Sequence, residues 1–172
     1  GDELPLSSLS MDELAEHSAA AVAVITRTPE DYRPQLTRQE QDMLRTICAA
    51  FPRTVLVLNT PGYMELGEFA QLLPAIVFMG IAGQEGGHAL TDLLTGRVMP
   101  SGRLAHSWPE TLAEFDEAAQ ALDCFNGYRW FDSFDRPVLY PFGYGLGYGK
   151  SELVSVSMGL DGCDVVVTAE VL

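Results

Sequence analysis

Three short, nearly uninterrupted apolar runs, Ala21 to Thr26, Thr54 to Asn59 and Ala75 to Met79, alternate with stretches whose apolar residues return every three or four positions. Runs rich in Val, Ile and Leu with little alternation predict strands covered on both faces in a parallel sheet. The intervening stretches predict helices. Thr37-Arg-Gln-Glu40 fits a capping box, in which hydroxyl and carboxylate each satisfy an orphan backbone donor. Behind it Met43, Leu44, Ile47 and Cys48 share one helical face until Phe51-Pro52 closes the element. Ser10-Met-Asp-Glu13 fits the same box and predicts an earlier helix start. Gln84 to Thr95 gathers Ala89, Leu90, Leu93 and Leu94 on one side and ends at Gly96, a suitable left-handed cap. The order β-α-β-α-β-α predicts an α/β fold: an open, mostly parallel sheet between helices, with flavodoxin-like layering.

Beyond Pro100 the periodicity weakens, and Gly, Pro and aromatic residues dominate through Tyr148, predicting extended, turn-rich chain wrapped over the sheet. Leu112 to Leu122 fits a short amphipathic helix, and its state stays open. Leu153 to Met158 and Asp164 to Val171 predict two strands joined by a turn at Leu160-Asp-Gly-Cys163. They read as the start of an all-β, fibronectin III-like domain. The expected division is residues 1–20 as a helix and lead-in, 21–150 as the α/β sandwich, and 151–172 as the first strands of the β domain.

Composition narrows the partners. The formal charge is −14, from 24 acidic against 10 basic residues with no basic cluster, so nucleic acid and anionic membrane surfaces are repelled. The apolar run from Leu72 to Ala82 is about eleven residues long and holds Pro74, far short of the roughly 18–20 that span a bilayer. It reads as a buried strand. Cys48, Cys124 and Cys163 are widely spaced and odd in number, which points to neither a disulfide framework nor a zinc site. With no initiator Met and no signal-type start, Gly1 reads as a processing edge.

Ligands of open α/β sheets meet the chain at the carboxyl ends of strands, so the loop after the first strand is the first place to seek chemistry. It holds Arg27, Glu30, Asp31 and Arg33. Two adjacent carboxylates offer general acid/base groups, although most loop carboxylates are only solvated. Gly83-Gln-Glu-Gly-Gly87 sits between strand and helix, where exposed N–H groups and the helix dipole favour a negative group, which Glu85 can supply. Its spacing, with Gly80, is not that of a dinucleotide loop, and Glu85 would repel a pyrophosphate. A nucleotide or effector site is therefore a distant reading. His17, His88 and His106 are isolated, and no G-x-S-x-G elbow accompanies them.

Ile25-Thr-Arg-Thr-Pro-Glu-Asp31, Gly83-Gln-Glu-Gly-Gly87, Met99-Pro-Ser-Gly-Arg-Leu104 and Tyr140-Pro-Phe-Gly-Tyr-Gly-Leu-Gly-Tyr148 occur in that order. Together they resemble the C-terminal α/β sandwich domain of family 3 glycoside hydrolases, and Asn126-Gly-Tyr-Arg-Trp-Phe131 resembles that family's G-Y-R-Y-F element. The resemblance implies part of a retaining β-glycosidase, most simply a β-glucosidase, acting on a carbohydrate without metal or organic cofactor. It also implies a TIM-barrel domain elsewhere in the protein that brings the nucleophile. By the same resemblance Glu30 stands as the general acid/base, with Asp31 as its rival under a one-residue shift. Arg27, Arg33, Gln84 and Glu85 then bind substrate or shape the site. The family's loop has the form G-R-x-x-G-E; here it is one residue shorter, lacks the glycines, and has Thr26 where a Gly is expected. That departure favours a rival reading, a non-catalytic structural or carbohydrate-binding module of a multidomain glycosidase. The aromatics Trp108, Tyr128 and Trp130 are expected to pack rather than to stack on sugar.

Overall fold

The structure, a computed structural model, describes residues 11–121, 123–149 and 152–172. It divides into two compact units: one runs to Gly86 and resumes over Arg103–Tyr144, and the other comprises Gly87–Gly102 and Gly145–Leu172. The proposed boundary at 150–151, the first ten residues and the Ser10 of the earlier capping box lie outside the described residues.

In the first unit α1 (Met11–His17) leads into β1 (Ala21–Thr26), α2 (Arg38–Ala50), β2 (Thr54–Asn59), the single turn α3 (Phe69–Leu72) and β3 (Ala75–Phe78). The strands form a parallel sheet in the order β1-β2-β3, with Ala23 opposite Leu56 and Leu56 opposite Ile76. The capping box on α2 is present in full: Thr37 accepts from the Glu40 N–H, and the Glu40 side chain accepts from the Thr37 N–H. Its apolar face delivers Leu44, fully buried, with Met43, Ile47 and Cys48 around it. Alternation along the strands sends Ala23, Ile25, Leu56, Leu58, Ile76 and Phe78 to this one core face.

The expectation of strands covered on both faces does not hold among the described residues of this unit. Val22 and Val24 on the opposite face of β1 are 49% and 52% exposed, and only Val57 of the central strand is closed over there. The reason is that α2, the 63–73 segment and the aromatic layer around Trp108 all pack on the Ala23/Ile25 face. The run from Leu72 to Ala82 is likewise not one buried strand. Leu72 ends α3, the strand spans Ala75–Phe78, and its residues are exposed or half-buried.

Residues 103–144 are largely extended but are interrupted by α5 (Leu112–Gln120), which settles the open stretch as helix with its own Thr111/Glu114 capping box, and by α6 (Tyr128–Ser133). The aromatic Asn126–Phe131 stretch thus enters a helix rather than a turn. Trp108, 2% exposed, seals the core by edge contacts with Tyr63, Phe78 and Tyr140, and Phe115 of α5 stacks on Tyr63. Two motifs meet here: the Trp108 and Leu104 amides donate to the Tyr140 and Tyr144 carbonyls, and the Gly143 amide donates to the Leu104 carbonyl. The Trp108 indole donates to His106 Nε2 at 3.2 Å, and burial pushes the His106 imidazole below its ordinary value, in keeping with an unprotonated acceptor. Trp130 and Phe131 form a satellite cluster with Ala118, and Tyr128 stacks on Phe142, so all three tested aromatics pack against protein.

The second unit holds most of α4 (Gly86–Leu94), which is capped by Gly96 at φ +74°, as its position in the sequence predicts. Tyr148 donates its hydroxyl to the Leu93 carbonyl at 2.7 Å, and Gly147 lies against Pro100 and Met99. An antiparallel hairpin, β4 (Leu153–Asp161) and β5 (Asp164–Val171), completes it. Among the described residues no helix is long and apolar enough to cross a membrane.

Glycine in the patch before α4 is required at two places for different reasons. Gly80 has φ +64°, and a Cβ on Gly86 would lie 2.5 Å from the Ala82 Cβ. Gly86→Ala is therefore expected to destabilise the full-length protein by about 1–3 kcal/mol, and adding Ala82→Gly to recover most of that loss. Denaturant unfolding of both variants tests this; an unchanged midpoint in Gly86→Ala would show that the turn yields without cost.

Candidate active site

Thr26 pairs with Asn59 and Leu58 with Phe78, so the three strands end side by side on one edge. The ladder continues one step further, as the Arg27 amide donates to the Asn59 carbonyl and the Met79 amide to the Leu58 carbonyl. Three loops leave this edge, and the first carries Arg27, Glu30, Asp31 and Arg33.

The second half of that loop is anchored. The Tyr32 hydroxyl donates to the Tyr63 carbonyl, the Glu65 amide donates to the Pro34 carbonyl at 2.7 Å, and Gln35 pairs with Glu65 through backbone and side chain. Burial is the main reason that the Tyr32 phenol is raised, with the Asp116 charge adding to it. Leu36 is buried beneath. The first half, Thr28 to Asp31, is exposed and is stiffened by the Asp31 amide donating to Thr28 Oγ1.

Arg27 closes the base of the loop. Its Nη1 and Nη2 donate to the two carboxylate oxygens of Glu40 at 2.8 and 2.7 Å, and also to the Thr26 and Gln35 carbonyls. The side chains are only 11% and 21% exposed, so water competes weakly for this fork. Hydrogen bonding to Glu40 holds the guanidinium above its usual value. Burial by itself would raise the Glu40 carboxyl, but the hydrogen bonds from Arg27 and Thr37, with the Arg27 charge, bring it below the ordinary range.

Thr26, Arg27, Thr28, Asp31, Arg33 and Thr37 line an open cleft of about 330 Å³ at this edge. The fold thus brings Arg27, Asp31 and Arg33 together. Glu30 stands beside them, exposed and without a side-chain partner among the described residues, and does not line the cleft. Gln84 and Glu85 are exposed in the turn between β3 and α4 and do not line this cleft. A larger groove of about 820 Å³ runs from Gln35 and Glu65 to Glu110 and Leu139 and holds none of the predicted residues. Sequence reasoning missed Glu40 as a member of the site. It is legible as a helix cap, but its second bond to Arg27 spans thirteen positions and leaves no local pattern.

The sequence pattern of the Glycosyl hydrolase family 3 C-terminal domain matches residues 7–148. The chain belongs to this family. It is 30% identical to a β-glucosidase from Ruminococcus albus, over 99% of this chain and 20% of that protein. Against an exo-α-(1→6)-L-arabinopyranosidase from Bifidobacterium longum it is 33% identical, over 75% of this chain and 18% of the relative. The solved structure of β-glucosidase 3B from Thermotoga neapolitana in complex with glucose superposes with a TM-score of 0.84 at 28% identity, covering 98% of this chain and 28% of that one. The chain thus spans about a fifth of the length of these curated relatives.

Because the folded-state value of Glu40 is lowered, its stabilising contribution is complete above the unfolded carboxylate range and is lost as pH falls through the folded value. Glu40→Gln keeps an oxygen for the helix cap but loses the charged fork. It is expected to cost about 1–2 kcal/mol at pH 7, with the gap from wild type closing below about pH 4. Denaturant unfolding of full-length protein at both pH values measures this; a gap that persists in acid contradicts the assignment.

Proposed function

We propose that this chain is part of a retaining β-glycosidase that releases terminal β-linked glucosyl residues, and that its loop after β1 supplies the acid/base carboxylate. Glu30 is the first candidate and Asp31 its rival. The observation that carries the reading is the pair of adjacent carboxylates on an anchored loop at the carboxyl edge of the sheet, in a chain of this family. Asp31 faces a cleft with Arg33 and Thr28, groups able to bind sugar hydroxyls. The β-glucosidase relatives support glucose as the sugar, and the arabinopyranosidase among them marks how far the family's substrates range.

In the first step the carboxylic acid gives its proton to the glycosidic oxygen as the C–O bond breaks, and a nucleophilic carboxylate bonds to the anomeric carbon. In the second, the same loop carboxylate takes a proton from water, which attacks that carbon and frees the sugar. Retention requires the two carboxyl groups about 5–5.5 Å apart. We assign the nucleophile to a TIM-barrel domain of the same protein, a reading that the chain's one-fifth share of its relatives' length accommodates. By itself this segment is then inactive.

The division at about residue 150 belongs to the same proposal. Val156, Met158, Leu160, Val165 and Val167 share the apolar face of the β4–β5 hairpin, and all are exposed. A two-stranded hairpin with one bare apolar face needs further strands, which supports reading residues 151–172 as the start of a fibronectin III-like sandwich. The second functional reading, a non-catalytic module, draws on the position of Glu30 outside the cleft.

The full-length protein with Glu30→Ala, and separately Asp31→Ala, decides between them. The acid/base variant is expected to lose roughly 10²–10⁴-fold in kcat on a natural β-glucoside, far less on an activated aryl glucoside, and to recover turnover with azide as a β-glycosyl azide. Wild-type behaviour in both variants, or an inactive wild type, establishes the non-catalytic module instead.

A further inference from the structure

The loop between β1 and α2 leaves the sheet at Arg27 and re-enters regular structure at Thr37, and one carboxylate joins both ends. Glu40 Oε2 accepts from Arg27 Nη2 at 2.7 Å, from the Thr37 amide at 2.8 Å and from Thr37 Oγ1 at 3.0 Å. Arg27 in turn holds the Gln35 carbonyl, late in the same loop. Four of its hydrogen bonds are directed to protein acceptors, which leaves little of the fork for a sugar. The exposed arc from Thr28 to Arg33 is therefore hinged on a closed base.

The same pair controls charge. The cleft is lined by two guanidinium groups, Arg27 and Arg33, beside the Asp31 carboxyl. A cation close to a carboxyl favours its ionised form, the opposite of what a proton donor needs. Glu40 places a full negative charge on Arg27 from behind, whereas Arg33 has no ion-pair partner among the described residues. The other charged groups near the arc are Glu30 on the loop itself and Arg38, exposed at the start of α2. From the loop after β2, Glu65 is occupied by Gln35 and by the Leu112 amide.

We infer that Arg27 and Glu40 are positioning residues, a buried clamp that holds the acid/base loop in place and cancels a positive charge in the cleft that Asp31 lines. This rests on the acid/base reading above and gives Arg27 the second of the two roles expected of it, shaping the site rather than binding substrate.

The test uses the full-length protein and the pH profile of kcat/KM on a natural β-glucoside, whose basic limb reports loss of the donor's proton. Glu40→Gln, which unbalances Arg27, is expected to move that limb down by on the order of 1 pH unit. Arg27→Gln, which unbalances Glu40, moves it up by a comparable amount, and the double variant brings it back near wild type. Arg27→Lys keeps the charge and loses the fork, so the limb stays while kcat on the natural substrate falls on the order of 10-fold, with a smaller loss on an activated aryl glucoside. Limbs that do not move, that move in the same direction, or kcat losses equal for both leaving groups overturn the clamp. Should Glu40→Gln fail to fold, Arg27→Gln against Arg27→Lys carries the test, since only the first is to shift the limb. If Glu30→Ala and Asp31→Ala lack azide rescue, the acid/base reading falls; if rescue is present and the limbs are unmoved, only the clamp does.

Discussion

Parallel pairing of β1, β2 and β3 forces all three strand exits onto one edge of the sheet, and the rest of the unit depends on that constraint. The register holds because slipping a strand by one residue would turn Ala23, Ile25, Leu56 and Leu58 out of the core. With register fixed, Arg27 emerges beside Asn59 and faces the start of α2. The loop is thereby delivered to Glu40, and its acidic and basic residues are set around one cleft. Packing of apolar side chains thus fixes the position of charged ones.

The charged groups are handled differently according to exposure. Arg27 and Glu40 are largely withdrawn from water, and each has its charge compensated and its hydrogen-bonding capacity used. That economy is expected where an unpaired charge would be costly. Arg45, Asp42 and Glu68, in contrast, form an exposed cluster on α2 and the neighbouring turn, of the kind that contributes little to stability. Of these two groups, the ion pair behind the loop is therefore the one with structural weight.

The two faces of the sheet show how far this segment is self-sufficient. One face has its helix, its aromatic lid at Trp108 and a tightly closed centre at Leu44, Leu56 and Leu58. The other presents Val22 and Val24 as exposed among the described residues, and the hairpin of the second unit likewise presents one bare apolar face. Both surfaces have the composition of interior ones, which agrees with a chain that spans about a fifth of its relatives' length.

Local chemistry determined a large part of this protein. The Thr37/Glu40 cap, the Gly96 terminus, the three Val- and Ile-rich strands and the hairpin are each set by interactions within a few residues, so they are legible in the sequence. The four motifs in order were enough to identify the family. Tertiary structure alone decided which face of the sheet is covered, that the Asn126–Phe131 aromatics enter a helix and bury Trp130 and Phe131, and that Asp31 rather than Glu30 lines the cleft. It also decided that Arg27 is taken by Glu40. The covered face and the Arg27–Glu40 fork depend on partners thirteen or more positions apart, brought together only when the sheet and α2 pack. A pattern read along the chain carries no record of which of several acceptors a side chain will meet across that distance.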